Sequence, residues 1–429
     1  MNLIFFKSNI KYVLGFVRKE NYCAFWFSKG LTSYSFIDEA VKIDAIKIER
    51  LIYDDFKKEY PELIQKYPCE VFNTAAAEPE VLEGAKKMCF FASSDTIIKS
   101  FKPILDNLEE SEYDVFCRTN ENALAAASRL NIKANEIKLG IPHLEKYSLL
   151  VLCNDWGPLE QKLTCDFLLK RINVVCIQES SINFNPIEQR MRYCSLPVFQ
   201  GVATLGNLDI NNKVMAVIGN PRFEQLEPTP APAHKRVLVN VNFTYGIFEE
   251  FRQQWVTDVV ESCNKVGVDF VLSQHPRDNG VFTNLNVIKS NPFLVHDSIR
   301  ESSVVISRFS ALLTEAVCLG RPAIYYNPHG ENMHYKFTTD NAMIFYVTSK
   351  DELETVLSTI ILGTGNRDFS RNRFLKMHLG NTSEKKSSEY IAKFLRGSAR
   401  YPIIKRISPY KKFKILWLIT KLILRGRPY

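Results

Sequence analysis

Short apolar runs of strand length alternate with helical segments along most of the chain. After residue 235 the order is regular, and strands are predicted at 236–243, 269–276, 284–290, 303–307, 322–327 and 343–347. Helices are predicted between them at 248–267, 310–320 and 349–361. This alternation is typical of parallel α/β sheets.

The first half of the chain is less regular. Apolar strands that end in polar residues are predicted at 147–155, 173–180 and 213–221, with a crossover helix between the first two. In the stretch EQLEPTPAPAHKR, Pro228, Pro230 and Pro232 alternate with other residues, which favours an extended connector. We therefore predict an N-terminal domain (1–224), a linker (225–235), a C-terminal domain (236–397) and a tail (398–429).

The length and composition support two folded domains. A chain of 429 residues exceeds one ordinary core and suggests two domains of roughly 200 residues each. The ten cysteines are scattered without a CxxC pair, which indicates reduced thiols in a cytosol rather than a disulfide framework or a zinc site. Charged residues interrupt the apolar N-terminus, so neither a secretory signal nor a membrane-spanning helix is predicted.

The positive charge is concentrated at the C-terminus. The net charge is +8, but residues 390–429 hold eleven Lys or Arg and no Asp or Glu, which leaves the rest of the chain at −3. This distribution argues against a nucleic-acid groove. Within 408–429, apolar residues and an aromatic face accompany a basic stripe, and this pattern predicts a helix lying on an anionic inner-membrane surface. Packing on the body or on a second subunit is the alternative.

Polar residues follow several predicted strands. In parallel α/β sheets, ligands bind beyond the carboxyl ends of the strands. His275 and Arg277 follow one strand of the second half, and Arg308 follows another, which indicates a site for an anion. Ser310 is predicted to cap a helix beginning at Ala311, whose first N–H groups suit a phosphate. Glu315, one to two turns later, could accept hydrogen bonds from ribose hydroxyls.

A spaced pattern in this region has a known counterpart. Ser310, Glu315, Ala316, Gly320 and Pro322 form Ser-x-x-x-x-Glu-Ala-x-x-x-Gly-x-Pro, which follows a strand-end His-Pro. This combination resembles the nucleotide-binding half of GT-B glycosyltransferases, and most closely the bacterial sialyltransferases and Kdo transferases that use CMP-activated acidic sugars. The segment 216–224 also resembles one found in GT-B enzymes and UDP-GlcNAc 2-epimerase relatives. The resemblance covers 155–335, and 1–140 match nothing.

The resemblance implies a fold and a set of roles. The fold would be α/β of the GT-B type, with two Rossmann-like domains facing each other across a cleft and a C-terminal basic amphipathic helix. His275 and Ser310 would hold the CMP phosphate, and Glu315 would contact ribose. The neighbouring nucleotide-binding residues would be Pro276, Arg277, Ser307 and Arg308. Holding the phosphate stabilises the leaving group, so neither a metal nor a cofactor is expected.

The catalytic carboxylate is harder to assign. The Asp/Glu-Asp/Glu-Gly motif of inverting sialyltransferases is missing, which favours a Kdo-type enzyme or a distinct family. The resemblance places an aspartate nucleophile where Asn240 stands, and an amide cannot do that task. Glu179 and Asp155, both at strand ends of the first half, are the remaining candidates for a base or an acceptor contact.

Together these observations predict a metal-independent glycosyltransferase. It would transfer an acidic sugar, Kdo before sialic acid, from a CMP donor to a capsule, lipopolysaccharide or lipid-linked glycan on the cytoplasmic face of the inner membrane. A CDP-polyol phosphotransferase and a UDP-GlcNAc 2-epimerase relative are alternative enzymes. An inactive GT-B scaffold at the membrane is the contrasting class.

Overall fold

A computed structural model gives the structure of the chain. It describes the backbone of five strands within residues 2–76, most of the chain from Lys86 to Arg400, and six residues between Tyr410 and Thr420. Between Lys86 and Thr420 it leaves out 120–121, 139, 181–190, 202, 207–214, 245, 283–284, 286, 292–293, 336, 338–342, 364–367, 381–385, 401–409, 411–412, 415 and 418–419. No helix among the described residues is long and apolar enough to cross a membrane.

The described residues divide into two compact units. The first unit contains the described residues of three segments. The first segment ends at Glu179, the second runs from Met191 to Glu224, and the third begins at His378. The second unit contains Ser180 and residues of Gln225–Met377. The boundary at 224 therefore agrees with the sequence, but 378–397 belong to the first unit and not to the predicted C-terminal domain.

The first unit is built on one twelve-stranded sheet. Its strands are β1 (Asn2–Lys7), β2 (Lys11–Arg18), β3 (Asn21–Ser28), β4 (Ile43–Ile48), β5 (Cys69–Ala76), β6 (Lys87–Ala92), β7 (Tyr113–Arg118), β8 (Ala134–Ile137), β9 (Tyr147–Leu152), β10 (Asn173–Ile177), β11 (Leu196–Phe199) and β12 (Met215–Val217). Its helices are α1 (Asp95–Leu105), α2 (Ala123–Arg129), α3 (Pro158–Leu169) and α4 (Ala203–Gly206).

Seven strands of this sheet are parallel. They run in the order β12-β11-β10-β9-β6-β7-β8, and an antiparallel extension in the order β4-β5-β1-β2-β3 joins through β3 at the β12 edge. The side chains of β6, β9, β10 and β11 are largely buried, because helices cover a parallel sheet. Because β9, β10, β11 and β12 are parallel, their carboxyl ends lie along one edge of the sheet.

The second unit carries a six-stranded parallel sheet. Its strands are β13 (Arg236–Val241), β14 (Asp269–Gln274), β15 (Val287–Lys289), β16 (Val304–Ser307), β17 (Ala323–Tyr326) and β18 (Ile344–Val347), in the order β15-β14-β13-β16-β17-β18. Its helices are α5 (Arg252–Val266), α6 (Val295–Arg300), α7 (Leu312–Cys318), α8 (Lys350–Leu362) and α9 (Asp368–Phe374). The predicted strands of this half all form, with shorter ends, and the predicted parallel α/β class is confirmed.

Two apolar clusters pack against the sheet of the second unit. One contains Val239, Trp255 and Leu357, and the other contains Leu238, Leu313 and Tyr325. Neighbouring residues of β13 belong to opposite clusters because successive side chains of a strand point to opposite faces. Gly267 ends α5 in the left-handed conformation (φ 72°), as its place after the helical pattern indicates.

The proline-rich segment packs onto the second unit. Buried Arg321 donates to the Thr229 carbonyl (2.8 Å), the Pro230 carbonyl (2.8 Å) and the Thr229 hydroxyl (2.9 Å). Gly320 lies beside it at a φ of 82°, where a Cβ atom would stand 3.3 Å from Pro228. The segment is thus held by hydrogen bonds that an isolated extended connector would lack.

The helix α10 (Ser387–Arg400) returns to the first unit. Ile391 and Leu395 are fully buried in the core of that unit. The Arg396 guanidinium donates two hydrogen bonds of 2.7 Å to the Glu112 carboxylate, and the Ser388 backbone N–H donates to Glu224 (2.9 Å). These contacts hold α10 against residues that lie far from it in the sequence.

Candidate functional site

The carboxyl ends of the second sheet bring two predicted site loops to one edge. β13 lies between β14 and β16. The His275 N–H donates to the Val241 carbonyl (2.8 Å), and the Asn242 side chain donates to the Phe309 carbonyl (3.0 Å). Since neighbouring strands are about 4.8 Å apart, the loops after β14 and β16 lie about 10 Å apart. The His275 and Ser310 loops therefore flank the end of β13.

His275 is half-buried in the loop that follows β14. Burial lowers its pKa, and the nearby Arg277 lowers the pKa further, so the imidazole is neutral at pH 7. The Arg277 backbone N–H donates to Nδ1 (3.2 Å), which assigns the ring proton to Nε2. Pro276 and Arg277 are both exposed. The histidine can thus offer an N–H donor to an anion without carrying a charge.

Asp278 organises this loop and was not anticipated from the sequence. Its fully buried carboxylate accepts from the Phe243 N–H (2.8 Å) and the Gly280 N–H (2.9 Å), and lies 3.1 Å from the Arg252 guanidinium. Its own N–H donates to the His275 carbonyl (2.9 Å). In the sequence, an aspartate that follows Pro-Arg in a turn could have indicated this role, because Asp side chains accept hydrogen bonds from nearby backbone N–H groups.

We expect Asp278→Asn to lower the free energy of unfolding by about 2 kcal/mol, because the amide would turn an NH₂ toward donors and leave Arg252 with Glu249 as its remaining carboxylate partner. Urea denaturation checks this. The control is Asp297→Asn, at an exposed ion pair with Arg300, which should change the free energy by less than about 0.5 kcal/mol. An unchanged midpoint for Asp278→Asn would contradict the role.

Asn240 and Ser307 are joined side chain to side chain. Both are buried, and the Asn240 Nδ2 donates to the Ser307 Oγ (2.8 Å) across the paired positions of β13 and β16. The two residues therefore lie together at the edge of the sheet. The amide of Asn240 links two strands, and the residue offers no carboxylate for nucleophilic attack.

Arg308 has a different environment from the one expected. Its buried guanidinium forms an ion pair with buried Glu331, and donates to the carbonyls of Asn242 (2.9 Å) and Ile247 (3.2 Å). The centroid of the Phe243 ring lies 3.9 Å from the Cζ atom of Arg308. These contacts occupy the guanidinium within the fold, so the predicted role as a phosphate neighbour is corrected to one of fixing the loops around β13.

Ser310 and Glu315 flank the start of α7. The helix begins at Leu312, one residue later than expected, and the Leu312 N–H donates to the Ser310 Oγ (3.2 Å). The Glu315 carboxylate is buried and lies 3.1 Å from Nε2 of His296 on α6. His296 was not anticipated, because its partner is nineteen residues away. Glu315 is thus a positioned acceptor and not a solvated helix residue.

Asp155 is enclosed at the carboxyl edge of the first sheet. Its fully buried carboxylate accepts from the backbone N–H groups of Arg192 (2.9 Å), Tyr193 (2.7 Å) and Cys194 (2.6 Å). This geometry fits an anchor for the segment that leads into β11. It differs from the accessible position that a base or an acceptor contact requires.

Glu179 lies at the same edge and is less enclosed. Its carboxylate is 3.4 Å from the Arg222 guanidinium. Buried Asn220 donates to the Glu179 carbonyl (2.9 Å) and to the Gln200 side chain (2.9 Å), which ties the ends of β10, β11 and β12 together. Of the two predicted carboxylates, Glu179 has the environment that suits contact with a ligand. Within the described part of the chain, no group of three His, Cys, Asp or Glu residues is arranged to hold a metal ion.

Comparison with known proteins supports the fold. No protein-family model matches the chain, and no curated protein matches its sequence. Among solved structures, the chain resembles a putative UDP-N-acetylglucosamine 2-epimerase from Listeria monocytogenes, with a TM-score of 0.52, 11% identity, and coverage of 72% of this chain and 95% of that one.

Two further structures are similar over comparable lengths. The UDP-GlcNAc 2-epimerase of Methanocaldococcus jannaschii, in complex with UDP-GlcNAc and UDP, gives a TM-score of 0.51 at 13% identity over 72% of this chain and 99% of that one. The glycotransferase of kitacinnamycin gives 0.50 at 11% identity over 73% and 98%. The chain has the GT-B fold with two Rossmann-like domains, and this confirms the predicted fold class.

Proposed function

We propose that the protein is a GT-B glycosyltransferase that uses a CMP-activated acidic sugar, Kdo before sialic acid. The acceptor is a bacterial surface polysaccharide or a lipid-linked glycan at the cytoplasmic face of the inner membrane. The observation that carries the proposal is the neutral His275, with its proton on Nε2, at the same sheet edge as Ser310 and the Glu315–His296 pair.

The proposed chemistry places the leaving group at this edge. As the bond between the anomeric carbon and the phosphate oxygen of the donor breaks, negative charge builds on the CMP phosphate. His275 Nε2–H and the Ser310 hydroxyl donate to it, and the exposed Arg277 adds positive charge. Glu315 accepts hydrogen bonds from ribose hydroxyls while His296 holds its second side. No step of this proposal uses a metal.

Glu179 is the residue that we propose as the base or acceptor contact. Its carboxylate lies 3.4 Å from the Arg222 guanidinium, and a carboxylate so placed can take a proton from an acceptor hydroxyl. Asn240 cannot serve as a nucleophile and would orient the loops instead.

We expect His275→Ala to weaken CMP binding about tenfold, equivalent to ~1.4 kcal/mol, because the phosphate loses a neutral donor. Thermal shift with CMP, CDP and UDP measures this, since a ligand of the folded state raises the melting temperature. His234→Ala is the matched control, because His234 is an exposed histidine of the same unit that pairs with Asp269 at the amino end of β14. The control should bind CMP like the wild type.

The same screen separates the alternatives. Binding of UDP with no preference for CMP would overturn the CMP-sugar assignment and favour a UDP-GlcNAc 2-epimerase relative, the second candidate, which the fold accommodates equally. A preference for CDP would indicate a polyol phosphotransferase. If the protein binds CMP but turns over neither CMP-Kdo nor CMP-sialic acid with any acceptor extract, the result would point to the inactive scaffold.

A further inference from the structure

An exposed aromatic face follows α10 and is not used by the proposed function. The described residues from Tyr410 to Thr420 are helical. Tyr410, Phe413 and Trp417 are spaced by three and four residues and so share one side of the helix. Their side chains are 75%, 68% and 55% exposed, and Leu416 beside them is 48% exposed. Large aromatic side chains clustered at this exposure mark a binding surface.

The preceding helix gives an internal contrast. α10 is also amphipathic, but its apolar face is buried in the core of the first unit, and its Arg396 is paired with Glu112. The face formed by Tyr410, Phe413 and Trp417 has no comparable burial. Among the described residues, α10 therefore has its apolar face buried, whereas Tyr410, Phe413 and Trp417 are each more than half exposed.

The charge around the aromatic face identifies the occupant. After α10, residues 401–429 contain eight Lys or Arg and no Asp or Glu. Lys414 lies about 40° around the helix from Tyr410, at the border of the aromatic face. Such a segment repels a second copy of itself and attracts an anionic surface, to which each basic residue contributes about 1 kcal/mol. Trp and Tyr prefer the boundary between headgroups and acyl chains.

We propose that Tyr410, Phe413 and Trp417 insert into the surface of an anionic bilayer while Lys414 and the other basic residues of the tail sequence bind the headgroups. The helix lies in the plane of the membrane and holds the protein at its surface. This inference does not depend on glycosyl transfer, because it rests on the exposure and the charge of the tail alone.

Co-sedimentation of the full chain with vesicles tests the proposal. The probes are phosphatidylcholine vesicles and vesicles that also contain phosphatidylglycerol. We expect at least about tenfold tighter binding to the anionic vesicles, weakening as salt rises. The triple variant Tyr410→Ser, Phe413→Ser, Trp417→Ser should lose at least about tenfold of this affinity, because three apolar side chains leave the acyl boundary.

The matched control is Trp156→Ser, because Trp156 is a 52% exposed tryptophan of the first unit outside the tail. It should bind vesicles like the wild type. The triple variant should keep the wild-type melting temperature, which excludes misfolding. Equal vesicle binding by the triple variant and the wild type would overturn the proposal, as would binding that ignores lipid charge.

Sedimentation velocity adds the remaining outcome. A wild-type dimer that the triple variant abolishes, without vesicle binding by either, would assign the face to a second copy and overturn the membrane proposal. The vesicle assay contains no nucleotide or sugar donor. Its failure would therefore leave the CMP-binding proposal standing, and failed CMP binding would leave the membrane proposal standing.

Discussion

Replacing Glu331 with alanine is expected to lower the free energy of unfolding by about 3–5 kcal/mol. The substitution leaves the Arg308 guanidinium buried without its anion, in contact with the Phe243 ring and two backbone carbonyls. It also removes the acceptor of the buried Tyr325 hydroxyl, which donates to Glu331 over 3.0 Å. An uncompensated buried charge costs more than the ion pair contributes, so the effect exceeds that of losing a surface pair.

A double variant separates the buried charge from general packing. Glu331→Leu combined with Arg308→Met removes both charges and should recover much of the stability lost in Glu331→Ala. Glu301→Ala serves as the surface control, because its carboxylate lies 3.9 Å from Arg236 and is largely exposed. That control should change the free energy by less than about 0.5 kcal/mol. Equal losses for Glu331→Ala and Glu301→Ala in urea denaturation would refute the buried-pair account.

Replacing Asp155 with alanine is the second large effect, and we expect it to cost about 3 kcal/mol or more in the free energy of unfolding. Three backbone N–H groups in the segment from Arg192 to Cys194 would lose the buried carboxylate that they share as acceptor. The loss should appear in the urea denaturation midpoint of the first unit. Turnover should fall only as far as the folded fraction falls.

Glu179→Gln provides the matched comparison at the same sheet edge. The amide keeps the shape of the side chain and removes the charge that faces Arg222, so we expect a cost below about 1 kcal/mol together with a loss of turnover of about 10²-fold or more. The two carboxylates thus have opposite expected profiles. A stable Asp155→Ala protein without turnover would transfer the catalytic assignment to Asp155. A fully active Glu179→Gln protein would remove that assignment from Glu179.

The second half of the chain shows what local patterns can predict. Its strands β13, β16 and β17 are buried and mostly apolar, strands alternate with helices, and Gly267 closes α5 in the conformation that glycine adopts readily. His275 and Ser310 could be placed at one sheet edge because parallel strands share their carboxyl ends. These features depend on residues close in sequence.

The roles that could not be predicted depend on partners far away in the chain. Arginine commonly binds anions, but the guanidinium of Arg308 forms an ion pair with Glu331, twenty-three residues later. Glu315 gains His296 from the preceding helix, and α10 is fixed by Glu112, 284 residues earlier. No strand is predicted before residue 140, and β8 in that region is short and half exposed, so no periodicity distinguishes it.

The return of α10 has a consequence for how the protein is made. The first unit takes its final helix from the end of the chain, with Ile391 and Leu395 inside its core. A ribosome therefore completes all of the second unit before it supplies the residues that finish the first. During that interval the surface that α10 covers is exposed, and nascent chains in this condition attract chaperones. The domain that is synthesised first is the last to mature.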